Sequence, residues 1–229
     1  MPEDIVLAGG SGGLGSATAE LLAHEHVRLV VSYRANAERA ARLAGIATLV
    51  QADITRPEDR TRLLDAAPHM YGLVVLTGDP ARGEDMMAQS HAVNYMGPIL
   101  LAREAAERMK ARAVSGAIVL FSTMQAIALF PGSSVYAGAK AALIQGARIL
   151  AKEYRGPANI RVNVIAPGVM SAGMAEASIA TGKYDRYLED GTIPRFGKAA
   201  DIARTVRFLL EPDNYITGQV ISVDGGITL

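Results

Sequence analysis

The 229-residue sequence contains no cysteine and no tryptophan. Without cysteine there is no disulfide framework, no thiolate nucleophile and no sulfur ligand for a metal. Histidine is scarce: there are four, His24, His26, His69 and His91. The first two are two positions apart and the others stand alone, so the spacing of a metal site is missing and no metal is expected. An excess of one charge is missing too. Lys plus Arg and Asp plus Glu number 23 each, for a formal net charge of zero. That argues against a general nucleic-acid binder and leaves room only for a local phosphate pocket. No window reaches the roughly 20 apolar residues of a membrane span. The opening Met1-Pro2-Glu3-Asp4 passes straight into Ile5-Val6-Leu7-Ala8, without the basic region and long apolar run of a secretory signal. The expectation is a soluble, cytoplasmic protein that binds neither membrane nor nucleic acid.

Half the residues are hydrophobic, enough for a sizeable core. Ile5 to Ala8 reads as a strand. It runs into Gly9-Gly10-Ser11-Gly12-Gly13-Leu14-Gly15, and a helix is expected over Ser16 to Ala23. Strand, glycine turn and helix open a dinucleotide-binding unit: the glycines let backbone approach a diphosphate, and the helix N-terminus supplies free N–H groups. Further strands are expected at Arg28–Ser32, Ala47–Val50, Leu73–Leu76, Ala117–Phe121, Ile160–Ile165 and Gln219–Val223. Helices are expected from Asn36 to about Ala44, from Pro57 with Thr55 as its N-cap, and over Val93–Arg112, Ser134–Arg155 and Ala199–Leu210. Regular alternation of strand and helix predicts one Rossmann-type, doubly wound α/β domain over 1–229, with a seven-stranded parallel sheet and helices on both faces. The long irregular stretch 171–198 follows a strand end. It is a candidate substrate lid, with an ordinary connecting helix pair as the competing reading.

Two features speak to chemistry. Tyr136 and Lys140 stand four apart on an expected helix, on one face. A cation one turn away favours the phenolate and lowers the phenol's pKa, suiting it to exchange a proton with an alkoxide or alcohol. Taken alone, the pair is equally a surface helix turn. Arg34 follows the second strand, where an acid would bind a ribose 2′-hydroxyl and an Arg suits a 2′-phosphate; a solvated helix-start Arg competes. The reading is NADPH in preference to NADH.

Jointly, these pieces resemble the short-chain dehydrogenase/reductase family over essentially the whole chain. The matching residues are Gly9-x-x-x-Gly13-x-Gly15, Asp53 after the third strand, Asn94, the hydroxyl of Thr123, Tyr136-x-x-x-Lys140 and Asn163-Val164-Ile165-Ala166-Pro167-Gly168. Ile193-Pro194-Arg195-Phe196-Gly197, Thr217-Gly218-Gln219 and Val223-Asp224-Gly225-Gly226 look most like the 3-oxoacyl-[acyl-carrier-protein] reductase branch. The resemblance implies that Tyr136 is the general acid and that Lys140 lowers its pKa and holds the nicotinamide ribose. It implies that Thr123 orients the carbonyl and that Asn94 helps hold a water leading from Lys140 to solvent. For the cofactor it implies Gly9, Ser11, Gly13, Leu14, Gly15, Asp53, Ile54, Gly78, Pro167, Gly168 and Val169, with Arg34, Tyr136 and Lys140. It also implies a dimer or tetramer packed through the helices of Val93–Arg112 and Ser134–Arg155.

Five departures stand out. Thr123 replaces the usual Ser. Val75-Leu76-Thr77-Gly78 replaces Asn-Asn-Ala-Gly. The interval from Gly78 to Asn94 is short. Ala172 replaces a Thr, and Gly12 replaces a basic residue of the glycine turn. The first function expected is an NADPH-dependent ketoreductase of 3-oxoacyl thioesters, with an acyl carrier protein as the carrier. An acidic carrier would need a basic rim, which Lys110, Arg112 and Arg155 could supply, and scattered solvated charges are the competing reading for each. The alternatives are the same chemistry on a polyketide, steroid or sugar ketone, or a non-catalytic member serving as a partner subunit in a mixed complex.

Overall fold

The computed structural model describes residues 3–81 and 86–229. Seven strands form one sheet in the order β3-β2-β1-β4-β5-β6-β7, every neighbouring pair parallel. They are β1 (Glu3–Ala8), β2 (Val27–Tyr33), β3 (Ala47–Gln51), β4 (Met70–Val75), β5 (Ala117–Phe121), β6 (Arg161–Pro167) and β7 (Val220–Val223). From β1 the chain winds outward to β3, then returns to place β4 on the other side of β1. Strand order reverses there, and the crevice beyond the strands' C-terminal ends is where such sheets bind ligands.

Alternation along each strand sends residues to two cores. Ile5 and Leu7 of β1 pack with Ala19 and Leu22 of α1 (Gly13–Leu22) and with Ile202, Val206 and Leu209 of α9 (Ala199–Leu210). Val6 and Ala8 pack on the opposite face with three helices. These are α3 (Pro57–Asp65), α5 (Gly97–Ala111) and α6 (Ser134–Tyr154), which contribute Leu63, Leu101, Ala105, Leu143 and Leu150. The many alanines of α5 and α6 let these helices sit close to the sheet. Doubly wound packing is thus written into the period-two pattern of the strands.

Four of the differences between the observed and the expected elements bear on the site. First, α1 starts at Gly13, so the glycine turn itself enters the helix. Second, Thr55 does not cap α3; Arg56 is the N-cap, and the Thr55 hydroxyl instead donates to the Asp53 carboxylate at 2.7 Å. Third, the expected helix of Val93–Arg112 is not continuous. Between α4 (Met86–His91) and α5 lies a π-helical turn, Ala92–Met96. Such wide turns gather at functional sites, and this one carries Asn94. Fourth, the stretch 171–198 holds two short helices, α7 (Glu176–Ala180) and α8 (Arg186–Glu189). The short helix of Ala37–Ala41, capped by Asn36, is α2. Among the described residues no helix is long and apolar enough to cross a membrane, and no group of three or more His, Asp or Glu could hold a metal ion.

Candidate active site

The first two turns of α6 lie over the C-terminal ends of β5 and β6. Ala139, Leu143, Ala147 and Leu150 bury one face of the helix, which drives Lys140 inward until it is 2 % exposed. Tyr136, one turn earlier, stands half-buried at the wall of a cleft of about 560 Å³. Beyond β5, Thr123 adopts an extended backbone and caps a short 3₁₀ turn, Met124–Ala126. Its hydroxyl lies beside the Tyr136 phenol, near enough to draw that group's pKa down, and accepts from the Gln125 amide at 3.4 Å. A hydroxyl and a phenol therefore converge on one point, where a carbonyl oxygen could meet both. Ser122 cannot substitute for Thr123: its Oγ donates to the Lys140 carbonyl at 3.1 Å and is spent on holding the helix.

The electrostatics differ from the expectation. Burial pushes the Tyr136 phenol up to about 12, the Asp79 carboxylate pushes the same way, and only the Thr123 hydroxyl opposes them. The Lys140 ammonium is not among the groups that move the phenol. It points instead at the sheet edge and donates to the carbonyls of Phe121 at 2.7 Å and Thr77 at 3.3 Å. Burial alone brings Lys140 down to about 7. Burial thus disfavours the charge of the expected phenolate-favouring cation, which is aimed elsewhere. The phenol holds its proton firmly, the state a proton donor needs.

Asn94 is fully buried on the π turn. Its Oδ1 accepts from the Asp79 amide, and its Nδ2 donates to the Asp79 carbonyl and to Ser90 Oγ, each at 2.9 Å. One amide hydrogen clamps the loop after β4 and the other is spent on Ser90 of α4, so for a water only the second lone pair of Oδ1 remains. The clamp fixes Thr77-Gly78-Asp79 against the cleft, tying together a segment whose sequence departs from the family pattern.

The glycine turn lies across the same edge. A Cβ on Gly15 would stand 2.5 Å from the Gly10 backbone, and one on Gly13 would stand 2.9 Å from the Gly173 amide nitrogen. Gly9 takes a positive φ of 74° and packs against Thr77. The first turn of α1 carries no acidic residue, leaving its N–H groups and positive dipole end for an anion. Arg34 is exposed just past β2 and makes no ion pair among the described residues. Asp53 uses Oδ1 on Thr55 and keeps Oδ2 open, beside buried Ile54. These features fit a phosphorylated dinucleotide, and so does a buried hydroxyl without a partner, that of Thr77.

Of the expected site residues, Tyr136, Lys140, Thr123, Leu14, Gly78, Pro167, Gly168 and Val169 line the cleft together. Gly9, Ser11, Gly13, Gly15, Arg34, Asp53 and Ile54 belong to the same sheet edge but lie outside that cavity. The apolar wall comes from Leu76, Phe121, Met124 and Met170. Met174 and Tyr184 reach it from the stretch 171–198, as does Lys183, a residue the sequence did not single out. The proposed basic rim is a correction. Lys110 ends α5, Arg112 contacts His69 at 3.3 Å just before β4, and Arg155 caps the end of α6. All three sit at the N-terminal edge of the sheet, across the molecule from the cleft. In a parallel sheet every crossover helix ends at that edge.

A family model described as Enoyl-(Acyl carrier protein) reductase matches residues 8–228. The chain belongs to the short-chain dehydrogenase/reductase family, whose members are oxidoreductases. It is similar to the 3-oxoacyl-[acyl-carrier-protein] reductase of Rattus norvegicus, 33% identical over 236 residues and covering 96% of each chain. It is similar also to the NADPH-dependent aldehyde reductase 2, chloroplastic, of Arabidopsis thaliana. That identity is 31% over 255 residues, covering 98% of this chain and 93% of the other. A short-chain type dehydrogenase/reductase from Mycobacterium ulcerans shares the fold, with a TM-score of 0.90 at 23% identity over 99% of this chain and 90% of that one.

Proposed function

We propose that the chain is an NADPH-dependent ketoreductase acting on a 3-oxoacyl thioester. The observation that carries this reading is the meeting of the Thr123 hydroxyl and the protonated Tyr136 phenol at the wall of an apolar cleft, beside the glycine turn. Bound nicotinamide supplies a hydride to the ketone carbon. Thr123 orients the ketone oxygen. Tyr136 gives its phenolic proton to that oxygen as negative charge develops, and a phenol that resists ionising delivers it only when the alkoxide is forming. Lys140, whose pKa burial lowers toward neutrality, would return a proton to the phenol through a water. Gly9, Gly13 and Gly15 take the diphosphate, Arg34 takes the 2′-phosphate, and Asp53 with Ile54 borders the adenine. Relatives that reduce 3-oxoacyl carriers and aldehydes, the latter with NADPH, support the cofactor and reaction.

An acyl chain suits the apolar wall, and the segment 171–198 closes over it as a lid. Lys183 supports an anionic handle on the substrate: among the described residues lining the cleft, Lys183 and Lys140 are the charged side chains. A second copy fits the outer faces of α5 and α6 and the turn before them, where Met96 and Ile149 are 49% and 48% exposed. The test is oxidation of NADPH with acetoacetyl-coenzyme A by the unaltered chain and by Tyr136→Phe. Turnover is expected only with the phenol. Equal turnover without it would remove Tyr136 from the acid role, and none in either would remove the reductase reading.

A further inference from the structure

One side-chain polar atom among the described residues is buried and has no hydrogen-bond partner: the hydroxyl of Thr77. It stands at a telling place. Thr77 follows β4 at the switch point of the sheet and lines the cleft. Its methyl and backbone press on the glycine turn, within 2.9 to 3.3 Å of where a Cβ on Gly9 would be. Its carbonyl accepts from Lys140 at 3.3 Å. The residue therefore bridges the glycine turn and the buried Lys140.

A buried hydroxyl loses its water and, unpaired, gains nothing in exchange. Valine has the same branched shape and would fill the space without that loss. Threonine is the better residue only if a partner arrives. Thr77 lines the cleft between the glycine turn and Lys140, and rotation about its Cα–Cβ bond re-aims the hydroxyl among staggered positions.

We infer that Thr77 is a cofactor-positioning residue, whose hydroxyl takes a hydrogen bond to the nicotinamide half of the dinucleotide, at its phosphate or its ribose. It is a side-chain contact this chain gains where the Asn-Asn-Ala-Gly pattern has been lost. The inference rests on the reading that the cleft takes NADPH.

The test measures dissociation constants by fluorescence of NADPH, and by calorimetry of the fragment 2′,5′-ADP, for the unaltered chain, Thr77→Val and Thr77→Ser. Removal of one neutral hydrogen bond is expected to weaken NADPH roughly three- to tenfold in Thr77→Val. Thr77→Ser should bind as the unaltered chain does, and 2′,5′-ADP should bind all three alike. Thr77→Val should also melt at the same or a higher temperature, since it deletes an unpaired group. NADPH binding unchanged in Thr77→Val overturns the inference, as does equal weakening of NADPH and 2′,5′-ADP. If the unaltered chain fails to bind NADPH, the cofactor reading falls; if it binds and Thr77→Val binds equally, only the role of Thr77 falls.

Discussion

The ammonium of Lys140 lies 2.7 Å from the carbonyl of Phe121, bound to the end of β5 rather than to the phenol one helical turn away. A cation held this way under the sheet edge is costly, because burial brings its pKa down to about 7 from the ordinary lysine value. In the unfolded chain the same amine stays protonated up to about pH 10.4. Between these two values the unfolded state binds the extra proton, so stability must rise with pH across that window and fall as pH drops toward 7. The expected slope approaches about 1.4 kcal/mol per pH unit where it is steepest. Urea unfolding at neutral pH and near pH 9 should show it, and Lys140→Met should lose it while losing turnover. A slope that survives in Lys140→Met would assign it to another group.

Cofactor choice rests on Arg34. It follows β2, stands exposed, and no acidic residue shares the strand end. Reversing its charge should repel a 2′-phosphate and accept a hydrogen bond from a 2′-hydroxyl. Arg34→Asp is expected to lower catalytic efficiency with NADPH by about tenfold or more and to raise it with NADH. An unchanged ratio of the two efficiencies would show that the phosphate is held elsewhere.

The strands and the order of the motifs were legible because a buried parallel sheet leaves apolar runs closed by turn residues. The strand Ala117–Phe121 and the helix Ala199–Leu210 are read at their observed limits for that reason. Tyr136, Lys140 and Thr123 were legible as a set because strand ends and helix starts meet at one edge. The tuning of the pair was not. Spacing places two side chains on one face, but it does not say that the longer one dives into the sheet and loses its water. The misplaced rim of Lys110, Arg112 and Arg155 had a remedy in the topology: residues at the ends of crossover helices cannot reach the C-terminal edge. The π turn at Asn94 has one sequence signal, Pro98, whose missing N–H leaves the carbonyl four residues back, that of Asn94, without its α-helical donor.

Lys183 provides the clearest handle on substrate class. It is exposed at the mouth of the cleft, its Nζ 5.5 Å from the centre of the Tyr184 ring. An ammonium there favours a thioester whose far end carries phosphate. Lys183→Glu should raise KM for acetoacetyl-coenzyme A roughly fivefold and leave the neutral N-acetylcysteamine thioester unaffected. The contrast between the two substrates is the measurement. Equal effects on both would make Lys183 a support of the lid rather than a contact for the anion.

Two glycines of the turn separate folding from binding. At Gly15 an added methyl meets Gly10 backbone at 2.5 Å, where neither strand nor helix can yield. Gly15→Ala is therefore expected to force β1 and α1 apart, lowering stability by about 1–3 kcal/mol and abolishing cofactor binding. At Gly13 the methyl meets the Gly173 amide nitrogen at 2.9 Å, so the backbone of the stretch 171–198 must move to admit it. Gly13→Ala should melt close to the unaltered chain yet bind NADPH more weakly, because the lid no longer seats on the turn. Melting curves and NADPH titrations of the two variants check the pair. A Gly13→Ala chain that unfolds as readily as Gly15→Ala would mean that the stretch 171–198 is part of the folded core and does not move as a lid.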